Sequence, residues 1–268
     1  MFQRKAPMQI EWENLRKQEA AFLKSRETKK DSFLNRKLEE KVPPKLQTTL
    51  DDAFEKAFGL IFEKGTAVIE KTYRKEELEK TYKINACTEE IRHNRKNLQA
   101  FSRKAKSTGR KNLVLSGVSG IGLGVLGVGI PDIPLFTGML FKSIYEIALS
   151  YGYEYESEEE KYFILQLIQG AVSYGEEMTK IDQSVNDFMM ENTLPQDYSS
   201  EQEIHASAAA LSKELLYMKF LQGVPFVGAV GGAYDAVYMK RIIEYANLKY
   251  HRRFLTDKER GRTLHKKV

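Results

Sequence analysis

One cysteine, Cys87, in 268 residues excludes a disulfide framework and any cysteine-built zinc or iron–sulfur centre. The four histidines, His93, His205, His251 and His265, fall at no ligand spacing, so neither a metal nor a cofactor is expected. A chain without disulfides suits a reducing, cytoplasmic setting. No stretch alternates apolar and polar residues between hairpin turns, and no segment repeats. Met1–Ile10 carries Arg4 and Lys5, but Glu11 and Glu13 follow instead of an apolar run, so no secretory signal is expected. Neither end carries a lipidation motif.

What is present is helical pattern and segregated charge. With 42% hydrophobic and 29% charged residues the chain has enough apolar content for one or two domains. The net charge of +5 hides its distribution: +5 over 1–50, −3 over 51–70, +8 over 71–111, −12 over 112–239 and +7 over 240–268. Basic ends around an acidic, apolar middle point to anionic partners, either a membrane surface or a nucleic acid.

Residues 8–41 read as one charged helix that Val42-Pro43-Pro44 ends, because the residue before proline leaves helical space. Leu46, Leu50, Phe54, Ala57, Phe58, Ile61 and Phe62 then recur every three or four positions, a core-facing stripe. Helical pattern continues over 66–106, as two helices parted near Ile84–Cys87. Ser157-x-x-Glu160 and Ser200-x-x-Glu203 are capping boxes that open further helices, and Val227 to about Phe254 makes a last long one. The expected fold is all-α. It comprises a charged N-terminal helix over 1–42, a helical domain over 43–255 and a basic tail over 256–268.

Asp132 is the single charge between Asn112 and Phe141. Gly117, Gly120, Gly124 and Gly127 form one smooth stripe on a helix, and Gly228, Gly232 and Ala236 form a second small-residue row that can pack on it. Six glycines between 112 and 130 cost about 6 kcal/mol in helix propensity, so this segment needs close packing or a lipid surrounding. Pro131-Asp132-Ile133-Pro134 makes 112–151 a helical hairpin. It is either buried in the protein or dips into the bilayer, with Lys142 and Glu146 opposing a full span.

Gly122-x-Gly124-x-x-Gly127 matches a dinucleotide fingerprint by letter, but no strand–helix–strand unit surrounds it. Asp132 is expected to cap the helix from Ile133. Should the two glycine-rich segments pack, Asp235 would approach it, and ion pairs with residues such as Lys142 or Lys240 are expected there ahead of a paired-carboxylate site. Glu154, Glu156 and Glu158–Glu160 suit the positive end of a helix dipole better than a cation site. Arg92, Arg95, Lys96, Arg103, Lys104, Lys106, Arg110 and Lys111 stand within twenty residues that hold no acid, directly before the apolar hairpin. A basic stretch beside an apolar one is how a protein meets an anionic membrane face. Nucleic acid is disfavoured, since no reading module or interleaved stacking aromatics accompany the run.

Several pieces, in order, resemble the EcsC family of bacterial proteins. They are Glu11-Trp12-Glu13, Lys41-Val42-Pro43-Pro44-Lys45, Ala53-Phe54-Glu55-Lys56-Ala57-Phe58, Pro131-Asp132-Ile133-Pro134-Leu135, Ile144-x-x-Ile147-Ala148-x-x-Tyr151-Gly152 and Val224-Pro225-x-Val227-Gly228-Ala229. The family takes its name from a gene beside an ABC exporter. The resemblance implies a bacterial, helical, membrane-associated protein, and it supplies no catalytic residues. The expected function is a non-enzymatic accessory, peripheral to the cytoplasmic face of the cell membrane and serving an exporter. The alternative is a hydrolase-type enzyme or a lipid-binding protein that uses the Asp132/Asp235 region.

Overall fold

A computed structural model describes residues 5–29, 41–43, 45–62, 66–125, 133–222 and 228–261. Among the described residues there is no strand, and the all-α expectation holds. Helix α1 (Pro7–Lys24) starts with proline in its first turn, where the missing N–H costs nothing. It does not run on to residue 41 as the charge pattern suggested. The Ser25 hydroxyl donates to the Phe22 carbonyl at 2.6 Å, and the Arg26 carbonyl accepts from the Gly175 N–H at 2.9 Å, so the chain turns and docks there.

Helix α2 (Leu46–Leu60) buries Leu50, Phe54, Ala57 and Phe58, the stripe read from the sequence. After a short α3 (Thr66–Glu70), α4 (Lys75–Ile91) passes uninterrupted through Ile84–Cys87. The expected break falls instead at Arg92–Asn94. There the Asn94 side chain accepts from the Asn97 N–H at 2.9 Å and caps the next helix, whereas 84–87 holds no proline or glycine to break one. That next helix, α5 (Arg95–Val125), is about 46 Å long and joins the basic run to the apolar segment without a joint.

Four helices follow: α6 (Ile133–Ser150), α7 (Glu158–Val172), α8 (Gly175–Glu191) and α9 (Ser200–Gln222). The last, α10 (Gly228–Glu259), lies alongside α5 and also touches α1, α6, α7 and α9. Helix α6 is enclosed by α2, α3, α4, α5 and α10. Phe136 meets Phe54, and Phe141 meets both Phe58 and Phe62, all edge to face at 5.0–6.3 Å between ring centroids. Each such ring contributes roughly 1.5–3 kcal/mol by burial, which makes α6 part of the protein core. No described helix is long and apolar enough to cross a membrane.

Helix α10 is pinned by charges that lie inside. Lys249 is 1% exposed; its ammonium reaches Asp182 at 2.8 Å and Asn186 at 2.9 Å. Arg253 meets Glu160 at 2.6 Å, and the Tyr250 hydroxyl donates to the same carboxylate at 2.5 Å. Arg252 grips Glu19 with two nitrogens, at 2.7 and 2.5 Å. Lys258 pairs with Glu89, and Trp12 donates to Glu259 at 2.6 Å. Thus α10 extends past Phe254 to Glu259, and its cations are met by acids from α1, α4, α7 and α8. Removing one partner of a buried pair typically costs about 3–5 kcal/mol.

Gly152 has φ +86, and a side chain there would run into the Tyr82 ring. Gly152→Ala should therefore lower stability by about 2–4 kcal/mol, from backbone strain and overpacking together. Urea melts check this, and an unchanged midpoint would contradict it.

His251 is buried against Tyr151, with ring centroids 5.7 Å apart, and its Nε2 finds no partner among the described residues. Burial, reinforced by Lys106, pushes its pKa down to about 3. Above pH 6.5 the ring is neutral folded or unfolded. Below it the unfolded chain takes a proton that the fold refuses, so stability falls as pH drops from 6.5 towards 3. His251→Phe should gain about 2 kcal/mol relative to wild type between pH 7.5 and pH 5. Stability curves that run parallel over that range would refute the assignment.

Candidate anion-binding face

Helical geometry turns the basic run into a face. At 100° per residue, Arg95, Lys106, Arg110, Arg103 and Lys96 fall within an arc of about 100°, and Lys111 and Lys104 follow roughly 60–80° beyond. The opposite side of α5 carries Leu98, Phe101, Ala105 and Asn112, all buried. Six of the eight cations are exposed, and Lys104 and Lys106 are half-buried. Arg92 stands just ahead of α5, in the turn that closes α4.

Few protein groups claim these charges. Among the described residues only Arg95 of the eight forms an ion pair, with Glu11 at 3.3 Å. The Arg103 guanidinium donates to the Lys96 carbonyl at 2.6 Å, and Lys106 donates to the Gln18 side chain at 3.1 Å. Seven of the eight thus form no ion pair among the described residues, and anions of any kind gain from approaching the exposed ones.

The face borders a recess. At Gly109, α5 comes so close to α10 that an added Cβ would sit 2.7 Å from the Ile243 side chain. Beside this contact a cavity of about 320 Å³ is lined by Gln18 of α1, Lys106 and Arg110 of α5, and Lys240, Glu244 and Asn247 of α10. Sequence reading considered Lys240 only as an ion-pair partner for a neighbouring acid, and it missed Glu244 and Asn247 altogether. Lys240, Glu244 and Asn247 share one helical face, but no local signal joins them to residues 130 positions earlier.

The remaining candidates divide in two. Asp132 and Gly127 lie outside the described residues. Gly117, Gly120 and Gly124 sit on α5, and Gly228, Gly232 and Asp235 on α10, but their surroundings lie outside the described residues too. The remaining sequence candidates are placed as structural groups. Cys87 is exposed, His93 faces Glu89 at 3.4 Å and His205 meets Glu55 at 2.8 Å. Glu154 and Glu156 flank Lys75 at 3.4 and 4.0 Å, and Glu160 is buried on Arg253. Among the described residues no cluster of His, Cys, Asp and Glu is placed to hold a metal.

Lys142 and Glu146 both reach Asn112, the last described side chain on the near half of α5. Glu146 accepts from the Asn112 amide, and Lys142 donates to its oxygen at 3.4 Å. This bridge ties α5 to α6 and fixes the base of the basic face. Burial raises the Glu146 pKa, and the Asn112 hydrogen bond offsets part of that rise. Below the ordinary glutamate value the group is neutral in both states. As pH climbs past it, the fold bears a cost for ionisation that the unfolded chain does not, so its contribution declines. Glu146→Gln keeps an oxygen for Asn112 and should be more stable than wild type at pH 7, with no gain at pH 4. Denaturant melts at both values decide, and a less stable variant at pH 7 would contradict this account.

The model of the EcsC protein family matches residues 9–255, nearly the whole chain. No curated protein and no solved structure matches. The family match takes in the core aromatic stripe of α2, the buried α6, the basic face of α5 and the charged seam of α10. The chain belongs to the EcsC family.

Proposed function

We propose that this protein is a non-enzymatic accessory held at the cytoplasmic face of a bacterial membrane by the basic face of α5. The observation that carries this reading is a single helical arc of exposed cations, only one of which is neutralised by the protein among the described residues. Near an anionic surface each Lys or Arg contributes about 1 kcal/mol, so half of the eight suffice for measurable attachment. The buried α6 supports peripheral attachment, since this arm already spends its apolar surface on α2 and its neighbours. The tie to an exporter rests on the family name alone, and a partner protein would meet the surface that lipid leaves uncovered.

Arg92, Lys96, Arg103 and Lys111 are exposed, unpaired among the described residues and outside the recess. Changing all four to Gln should weaken sedimentation with anionic vesicles at least about thirtyfold at low salt. Wild-type protein should leave the vesicles as salt rises through about 0.1 M, where charges are screened beyond about 10 Å. Equal binding to neutral and anionic vesicles, or full binding by the quadruple variant, would overturn the proposal.

A further inference from the structure

We infer that the recess between α5 and α10 is a binding site for a phosphate ester whose alcohol carries a hydroxyl or ammonium donor. The inference rests on reading α5 as an anion-facing helix, and it names what that helix selects.

Three cations meet at the recess from two helices. Lys106 and Arg110 stand four apart on α5, and Lys240 comes from α10. None of the three forms an ion pair among the described residues, and Arg110 and Lys240 are exposed. A guanidinium fork with two ammonium groups is a donor set that fits a phosphate group. Two further groups would serve a bare anion poorly. Asn247 is 6% exposed and spends one amide N–H on the Ile243 carbonyl at 3.0 Å, while its buried Oδ1 has no partner among the described residues. Glu244 adds a carboxylate to the same wall. Both are acceptors. An unsatisfied buried acceptor carries a desolvation penalty that a ligand donor would remove, and Glu244 repels an anion that brings no donor. The lining therefore asks for both kinds of group in one molecule, the phosphate towards Lys106, Arg110 and Lys240, the donor towards Asn247 and Glu244.

Size narrows the class. About 320 Å³ is the low end for small-molecule sites, enough for a headgroup or a small polyol phosphate and too little for an acyl chain. Gly109 keeps the floor of the recess: its hydrogen lies where a methyl group would press on Ile243. One ligand chemistry thus has two sources, a lipid headgroup at the membrane or a free ester in solution.

The test uses the full chain and isothermal titration with glycerol 3-phosphate and with inorganic phosphate. Glycerol 3-phosphate should bind at least tenfold tighter. Lys240→Gln should weaken its binding about tenfold, the loss of one charge-assisted hydrogen bond. Asn247→Leu keeps the shape, removes the acceptor and should bring the two probes together; thermal melts confirm that each variant folds. Vesicles of phosphatidylglycerol and phosphatidic acid, matched in surface charge, separate the sources. A preference for phosphatidylglycerol that Asn247→Leu abolishes assigns the site to lipid, and soluble binding without that preference assigns it to a free ester. Glycerol 3-phosphate binding that survives where no vesicle binding occurs would refute membrane attachment and leave this site standing. Equal, weak binding of both soluble probes, unmoved by Lys240→Gln, would overturn the site while leaving the quadruple-variant result to judge the membrane reading.

Discussion

The Arg253–Glu160 pair, buried between α10 and α7, is the interaction on which the arrangement of helices turns. Two opposite charges taken out of water are stable only when their remaining hydrogen-bonding capacity is used. Here it is: Tyr250 donates to Glu160, and Asn192 accepts from Arg253 at 3.0 Å. Asn192 can do so because it closes α8 in a left-handed conformation, with φ 54, that asparagine tolerates better than most residues. One turn away Lys249 is locked to Asp182, and Tyr245 donates to that same carboxylate at 2.8 Å. These bonds set the register of α7 and α8 on α10, and Arg252 does the same for α1 through Glu19. Since α5 lies along α10 with Gly109 at the crossing, the seam also decides which side of α5 is left in water.

Two basic stretches therefore meet opposite fates. Residues 240–268 carry +7, as suggestive of an anionic partner as the run before Asn112. Yet Lys249, Arg252, Arg253 and Lys258 are answered by Asp182, Glu19, Glu160 and Glu89. Among the described residues the cations of α5 form no ion pair beyond that of Arg95 with Glu11. Charge density along the chain does not distinguish the two; what distinguishes them is whether acids from other helices arrive.

How much could be read beforehand follows the same line. Periodicity within one segment revealed the apolar stripe of α2 and the all-α class, because the 3.6-residue repeat is local; it left open whether α6 is buried in protein or in lipid. Ser157-x-x-Glu160 correctly marked a helix start, and the Ser157 hydroxyl accepts from the Glu160 N–H at 3.2 Å. The Glu160 side chain, however, leaves the cap for Arg253, which no spacing announces. The second box was read one residue late: Ser199, not Ser200, accepts from the Gln202 N–H at 3.4 Å, while Glu203 takes amides from Gln166 and Gln169. Buried lysine and arginine were missed because such groups default to the surface unless a distant partner pairs them. The basic face was legible as a run and the recess was not, since half its wall comes from α10.

The central claim is that α5 turns one defined side to an anionic surface while α8, which packs on α7, does not. A single native cysteine makes this directly measurable. In a Cys87→Ser background, a fluorophore is placed at Ser107, exposed within the basic arc, or at Asp187, exposed on α8. Both sites are then read on anionic vesicles containing lipid-borne quencher. The account predicts strong quenching at Ser107 and little at Asp187. Equal quenching at the two sites, or quenching at Asp187 alone, would contradict it.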